Sequence, residues 1–344
     1  MNLSSVAIMC LRIFFLSALL FSQPVAAEWL ANTGLGVTYS DNYALQNGDY
    51  TNIDQEVVDR TGTELSGAIS WQSFKNNGGF SLDAAALLDK ASDRDSQISN
   101  LSLSASRIQS LSQRWMARFT GRLLQYNNDD FTANAYDGIR LEATTGWFGE
   151  NGRGVDMMLS WVDEDHNQNP ESLYKIQRFG ASAVYYFSYA ADDVRNSVSL
   201  GVQQHDASDD RRDGSSLFFS TAMDQIRWGK NLLRLSVNWR QDRYDLAYTP
   251  QPGDQTGGVM PPGTGVPGNP GMGPGTGPGT GPGSGAPATS EPRTDTQVYL
   301  SASYQYPLSR DFRLFINANT GRYSSVTGKQ SYYNLFSGIR WYFN

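Results

Sequence analysis

The stretch Arg114 to Leu123 reads RWMARFTGRL. Trp115, Ala117, Phe119, Gly121 and Leu123 share one parity; Arg114, Arg118 and Arg122 share the other. A repeat of two is the mark of an extended strand whose faces meet different surroundings. The same alternation recurs along the chain. Leu65, Ile69 and Trp71 stand against Glu64, Ser66, Ser70 and Gln72, and Leu235, Val237 and Trp239 against Arg234, Ser236, Asn238 and Arg240. Helical periodicity is nearly absent, so the fold class expected is all-β. The alternation predicts fourteen strands over residues 30–41, 62–73, 79–90, 97–107, 114–125, 137–148, 154–163, 176–187, 196–205, 215–225, 232–244, 296–306, 311–323 and 332–343.

Most of these segments run to ten to twelve residues, and a tilted strand needs about 9–11 to cross a bilayer. The links alternate in length. Asn76 to Gly78, Ser110-Leu111, Gly149 to Gly152, Gly229-Lys230 and Pro307 to Ser309 are short, whereas Gln46 to Asp59, Asn127 to Ala135, Asp163 to Ser172 and Asp206 to Asp213 are longer and acidic. An even strand number with short turns at one end and longer loops at the other predicts a fourteen-stranded antiparallel transmembrane barrel. Open sheet edges are not tolerated in hydrocarbon, so the sheet must close. The last segment, with Leu335, Ile339, Trp341 and Phe343 opposite Arg340, is expected to pair with the first, Thr33 to Tyr39.

An arginine on the lipid face at mid-bilayer costs roughly 2–4 kcal/mol, so the charged parity must point inward. That places Arg114, Arg118, Arg122, Arg140, Arg178, Arg234, Arg240, Arg313 and Arg340 in the lumen, with Glu64, Asp83, Asp89, Glu142, Asp156 and Asp242. Amphipathic rings favour the headgroup boundary. Trp71, Trp115, Trp147, Trp341 and Phe343 are expected near the short-turn side, and Trp161 and Trp239, with Tyr39 and Tyr323, nearer the loop side.

The chain opens with Arg12, the apolar run Ile13 to Phe21, and Val25-Ala26-Ala27. This reads as a signal peptide, residues 1–27, ahead of a barrel over 28–344; a buried N-terminal helix is the competing reading. The lone cysteine, Cys10, falls inside the signal, so the mature chain has no disulfide, thiolate metal site or thiol nucleophile. Loss of Arg12 takes the net charge from -7 to -8, which argues against nucleic-acid binding. The sixth long link, Pro250 to Thr294, is dominated by Gly and Pro. It can neither bury apolar surface nor hold a ladder. Residues 250–294 are therefore expected as a disordered extracellular loop, either a solvated insertion or a binding segment.

The stretch Gly36 to Leu45, GVTYSDNYAL, and the closing Arg322-Tyr323-Ser324-Ser325 with Tyr332-Tyr333 to Phe343 resemble the β-barrel porins found beside exopolysaccharide and capsule export genes. A second resemblance is to the barrel half of surface lipoprotein assembly modifiers, which also has fourteen strands. Those usually carry a helical-repeat domain in front, and here the first strand is expected almost at the cleavage site. The resemblance implies an outer-membrane barrel with an export-associated role, and supplies no functional residue.

Rings of arginine favour anions in a pore, and they can grip carboxylates with two hydrogen bonds. Passage of polar or anionic solutes, saccharides among them, is thus one expectation. The other is that these charges pair across strands and plug the lumen, leaving a surface barrel whose loops bind a partner. Asp163 to Asn169, DEDHNQN, has a faint likeness to a calcium loop but lacks the glycine and closing glutamate of that pattern; solvation of a surface loop accounts for it as well. The two histidines, His166 and His205, are expected in or beside loops, where His205 near Asp206, Asp209 and Asp210 could imitate the acid–base group of a rim hydrolase. The expected setting is the outer membrane, with lipid and lipopolysaccharide around the barrel and the assembly machinery engaging the C-terminal strand. No cofactor or metal is expected.

Overall fold

The computed structural model describes residues 27–41, 59–75, 77–129, 135–150, 152–166, 174–189, 194–208, 213–228, 230–245, 292–325 and 328–343. The expected signal peptide, apart from Ala27, and all but a few residues of the Gly/Pro-rich link lie outside them. Fourteen strands are formed: β1 (Ala27–Asp41), β2 (Arg60–Lys75), β3 (Gly78–Ala91), β4 (Gln97–Ser110), β5 (Trp115–Asn128), β6 (Tyr136–Phe148), β7 (Gly154–His166), β8 (Tyr174–Tyr189), β9 (Val194–Ala207), β10 (Gly214–Trp228), β11 (Asn231–Tyr244), β12 (Arg293–Pro307), β13 (Phe312–Ser325) and β14 (Gly328–Phe343). Each pairs with its neighbours in sequence, and β1 closes on β14. The seam is antiparallel, with Thr33 opposite Trp341, Leu35 opposite Ile339 and Tyr39 opposite Leu335. The described residues contain no helix.

All fourteen expected strands are present, and several run beyond their expected ends. The extension is greatest at the long-link end, where β2 starts at Arg60, β7 continues to His166, β12 starts at Arg293 and β14 starts at Gly328. At that end the outward positions are themselves polar: Lys90, Asp163, Lys175, Arg243 and Arg322. Hydropathy therefore stops alternating while the hydrogen-bonded ladder goes on. The link between β13 and β14 shrinks accordingly to residues 326–327.

The outward parity below that polar band is apolar around the whole circumference. Leu35 on β1, Leu65 on β2, Leu103 on β4, Phe119 on β5, Leu159 on β7, Phe179 on β8, Leu200 on β9 and Leu300 on β12 are all exposed, Leu159 at 64%. Rings gather at the lower border. Trp71 packs on Phe80, Trp115 stands opposite Trp147, and Trp341 lies between Phe312 and Phe343. Trp161 and Trp239 face outward just below the polar positions Asp163 and Gln241. Tyr323 lies at the loop side as expected, but its parity on β13 turns it inward rather than toward the headgroups, where it is 1% exposed and accepts from Arg293 at 3.1 Å.

Two inward glycines allow close approach across the wall. Thr38 on β1 donates to Asp89 on β3 at 2.9 Å, passing over Gly62 of β2, where an added Cβ would run into both side chains. The Phe218 ring of β10 lies flat over Gly201 of β9 in the same way. Overpacking of this kind costs about 1–3 kcal/mol. Gly62→Ala should therefore lower the temperature at which the folded band disappears on a semi-native gel, and a glycine-like melting point in that variant would refute the contact.

Candidate functional site: the barrel lumen

The inward parity is organised in layers along the barrel axis. At the long-link end it forms a buried collar of ion pairs. Arg60 meets Asp89 at 3.2 Å between β2 and β3. Arg178 of β8 meets Glu164 of β7. Arg240 and Asp242 pair at 2.8 Å along β11, and Arg293 and Asp295 at 2.6 Å along β12. Rings complete the collar. Tyr126, Tyr136, His166 and Tyr174 follow one another across β5 to β8, with His166 stacked on Tyr174 at 4.1 Å between centroids. Gln297 donates to the Tyr332 hydroxyl at 2.9 Å, across β13.

Each of these ion pairs lies within one strand or between neighbours, flat against the wall. None of the pairs named reaches across the barrel. That arrangement satisfies buried charge without filling the lumen. Below the collar the wall opens into a cavity of about 820 Å³ running from β6 to β14. Its lining mixes short hydroxyl and amide groups, Ser160, Ser182, Ser220, Ser301, Asn238 and Asn319, with the rings of Phe218, Tyr299 and Tyr332. Two arginines reach it, and each has an acid beside it: Arg140 with Glu142 at 2.6 Å, and Arg240 with Asp242.

The short-turn end differs. Arg118 of β5, Arg195 of β9, Arg313 of β13 and Arg340 of β14 form no ion pair with a carboxylate among the described residues, and neither does Arg122 at mid-height. Arg195 lies over the Tyr186 ring at 4.3 Å, Arg313 over Tyr342 at 5.0 Å and Arg340 over Phe315 at 4.5 Å. Arg234 is the paired member of this end, with Asp224 at 2.7 Å. The carboxylate of Asp83 sits among the hydroxyls of Ser70, Ser81 and Ser104.

Eight of the nine arginines expected in the lumen stand on inward strand positions. Arg114 does not: it lies in the turn before β5, where it pairs with Glu150 of another turn at 2.8 Å. The strand starts one residue later than expected because Ser112 caps the turn, accepting from the backbone of Arg114 and Trp115. Glu64, Asp83, Asp89, Glu142, Asp156 and Asp242 are all on inward positions. Sequence reasoning missed Arg60, Arg195, Arg293, Glu164, Asp224 and Asp295. Their parity was readable, but several sit in strand extensions where no apolar neighbour marks the alternation. Three are basic and three acidic, so counting them leaves the lumen's basic excess as it was.

Both histidines belong to strands rather than loops. Asp163, Glu164 and Asp165 alternate between the two faces of β7, so the DEDHNQN stretch cannot converge its acids on one ion; Asn167 to Asn169 lie outside the described residues. His205 Nε2 donates to Ser216 Oγ at 2.6 Å, and the Ser216 hydroxyl donates to Asp242. In a hydrolytic relay the acid orients the imidazole, and the imidazole takes the serine proton. Here the acid takes that proton directly, and the three groups are buried in the wall.

A closed antiparallel barrel with an apolar exterior, aromatic borders, short turns at one end and a polar interior is built to span a bilayer. The chain is a membrane-spanning β-barrel. No family model and no curated protein matches it. Among solved structures it is similar to a loop-deleted OmpT, an outer membrane protein of Vibrio cholerae, at 10% identity over 92% of this chain and 99% of that one, with a TM-score of 0.43. It is also similar to a bacterial polysaccharide outer membrane secretin (8% identity, 91% and 98% covered, TM-score 0.44) and to the CymD monoaromatic hydrocarbon channel (8%, 93% and 88%, 0.44).

Proposed function

We propose that this barrel is a channel for polar solutes across the outer membrane. The observation that carries the reading is the open middle of the lumen, about 820 Å³ lined by short hydroxyl and amide side chains, where a plug would require large side chains meeting across the axis. Hydroxyls, amides and a few rings suit a polyhydroxylated solute: amides and hydroxyls exchange hydrogen bonds with sugar hydroxyls, and rings cover the apolar face of a sugar. Saccharides are therefore the solute class favoured, and export the direction favoured by the resemblance to porins of polysaccharide clusters. In this reading residues 1–27 direct secretion, and the C-terminal strand ending in Phe343 is presented to the assembly machinery.

Planar-bilayer recording tests the proposal. Purified, refolded protein should give discrete, sustained conductance steps. Ser220→Trp with Ser301→Trp, both inward in the cavity, should roughly halve the step by narrowing the path. Thr221→Trp, on the lipid-facing parity, should leave it unchanged. Absence of any steps from folded protein would overturn the channel reading in favour of a non-conducting surface barrel.

A further inference from the structure

The cross-strand register places Arg313 of β13 directly opposite Arg340 of β14, both on the inward face and close to the short-turn rim. Like charges directly opposite each other destabilise a sheet. A second arginine pair in register, Arg122 and Arg140, is relieved by Glu142 beside Arg140, and the facing acids, Glu64 with Asp89 and Asp242 with Asp295, have Arg60, Arg240 and Arg293 beside them. No carboxylate among the described residues forms an ion pair with Arg313 or Arg340. Arg313 is held from below by Tyr342 and donates to Gln305 at 3.4 Å. Arg340 is held by Phe315, and its Nε is buried without a hydrogen-bond partner. A Cβ on Gly34 would come within 3.5 Å of that nitrogen, so the glycine of β1 leaves room for the guanidinium to lie across the wall. Glu64 on β2, one strand beyond Gly34, forms no ion pair with Arg340.

Arg313 and Arg340 thus stand opposite each other in the register, each guanidinium over an aromatic ring, where most of the barrel's other inward arginines have acids. We infer that Arg313 and Arg340 form a docking site for the oxyanion groups of a solute entering the lumen from the short-turn end. Planar guanidinium forks match carboxylates with paired hydrogen bonds. The ligand class is an acidic oligosaccharide, its carboxylates held by the arginine pair and its hydroxyls by the serine- and asparagine-lined cavity above. The inference rests on the channel reading for its route, but not for its binding chemistry.

The experiment uses the refolded full-length barrel and three probes: trigalacturonate, maltotriose and inorganic phosphate. Calorimetry on protein in detergent measures binding without any current. Trigalacturonate should bind at least about tenfold more tightly than maltotriose, and Arg313→Gln or Arg340→Gln should weaken it by about tenfold or more, the size expected for loss of a charge-assisted bond. In bilayers, the same sugar should block current when added at the short-turn side. The variants should melt at the same temperature as the parent or higher, because a repulsion is removed; a purely structural role would lower it. Equal affinity for the acidic and neutral sugars, or affinity unaffected by both substitutions, overturns the site. Phosphate binding as tight as trigalacturonate overturns the saccharide assignment and leaves a simple oxyanion site. Binding without conductance would retain the site and reject the channel.

Discussion

Leu159→Arg is expected to cost the folded barrel roughly 2–4 kcal/mol, while Ser160→Arg, one residue along, costs far less. Leu159 is midway along β7, outward and 64% exposed, and Ser160 lines the lumen cavity. The first guanidinium must enter hydrocarbon; the second enters a wet space already holding Arg140. Urea titration of the protein refolding into lipid vesicles, followed by tryptophan emission, measures both. Equal penalties for the two positions would mean that the exterior is not solvated by lipid, and the membrane reading would fail with it.

The second large effect is in the collar. Asp295 is 0% exposed and pairs with Arg293, itself 5% exposed and bonded to Tyr323. Removing one partner of a buried pair leaves an uncompensated charge, at about 3–5 kcal/mol. Asp295→Ala should therefore unfold at markedly lower urea than the parent. Arg293→Met together with Asp295→Leu should recover most of that loss, since replacing both charges by apolar groups of similar size removes the desolvation penalty as well. A double variant as unstable as the single one would show that the pair matters through its shape and not its charge.

The collar also explains where sequence reasoning stopped short. Residues such as Leu335, Ile339 and Trp341 announce their face because lipid admits no charge there and little that is polar. Arg293 and Asp295 announce nothing, because above the bilayer the outward neighbours Thr294 and Thr296 are as polar as the inward ones. Glu164 and His166 looked like loop residues for the same reason. The misplacement of Arg114 has another cause: its parity fits β5 and its carbonyl still accepts from Phe148 of β6, but its own amide turns back to Ser112 Oγ, which holds it in the turn.

The period of two, the count of segments and the penalty for charge in hydrocarbon together determine a closed fourteen-stranded barrel and the facing of nearly every strand residue. These are local or one-dimensional constraints, so the sequence alone could determine them. Which arginine finds an acid is different. It depends on register across strands far apart in the chain, such as Arg313 opposite Arg340 or Thr38 reaching Asp89 over Gly62. Only the closed barrel brings those positions to one height, and only there does the lumen divide into a collar of ion pairs, a polar middle and a short-turn end where Arg118, Arg195, Arg313 and Arg340 form no ion pair among the described residues.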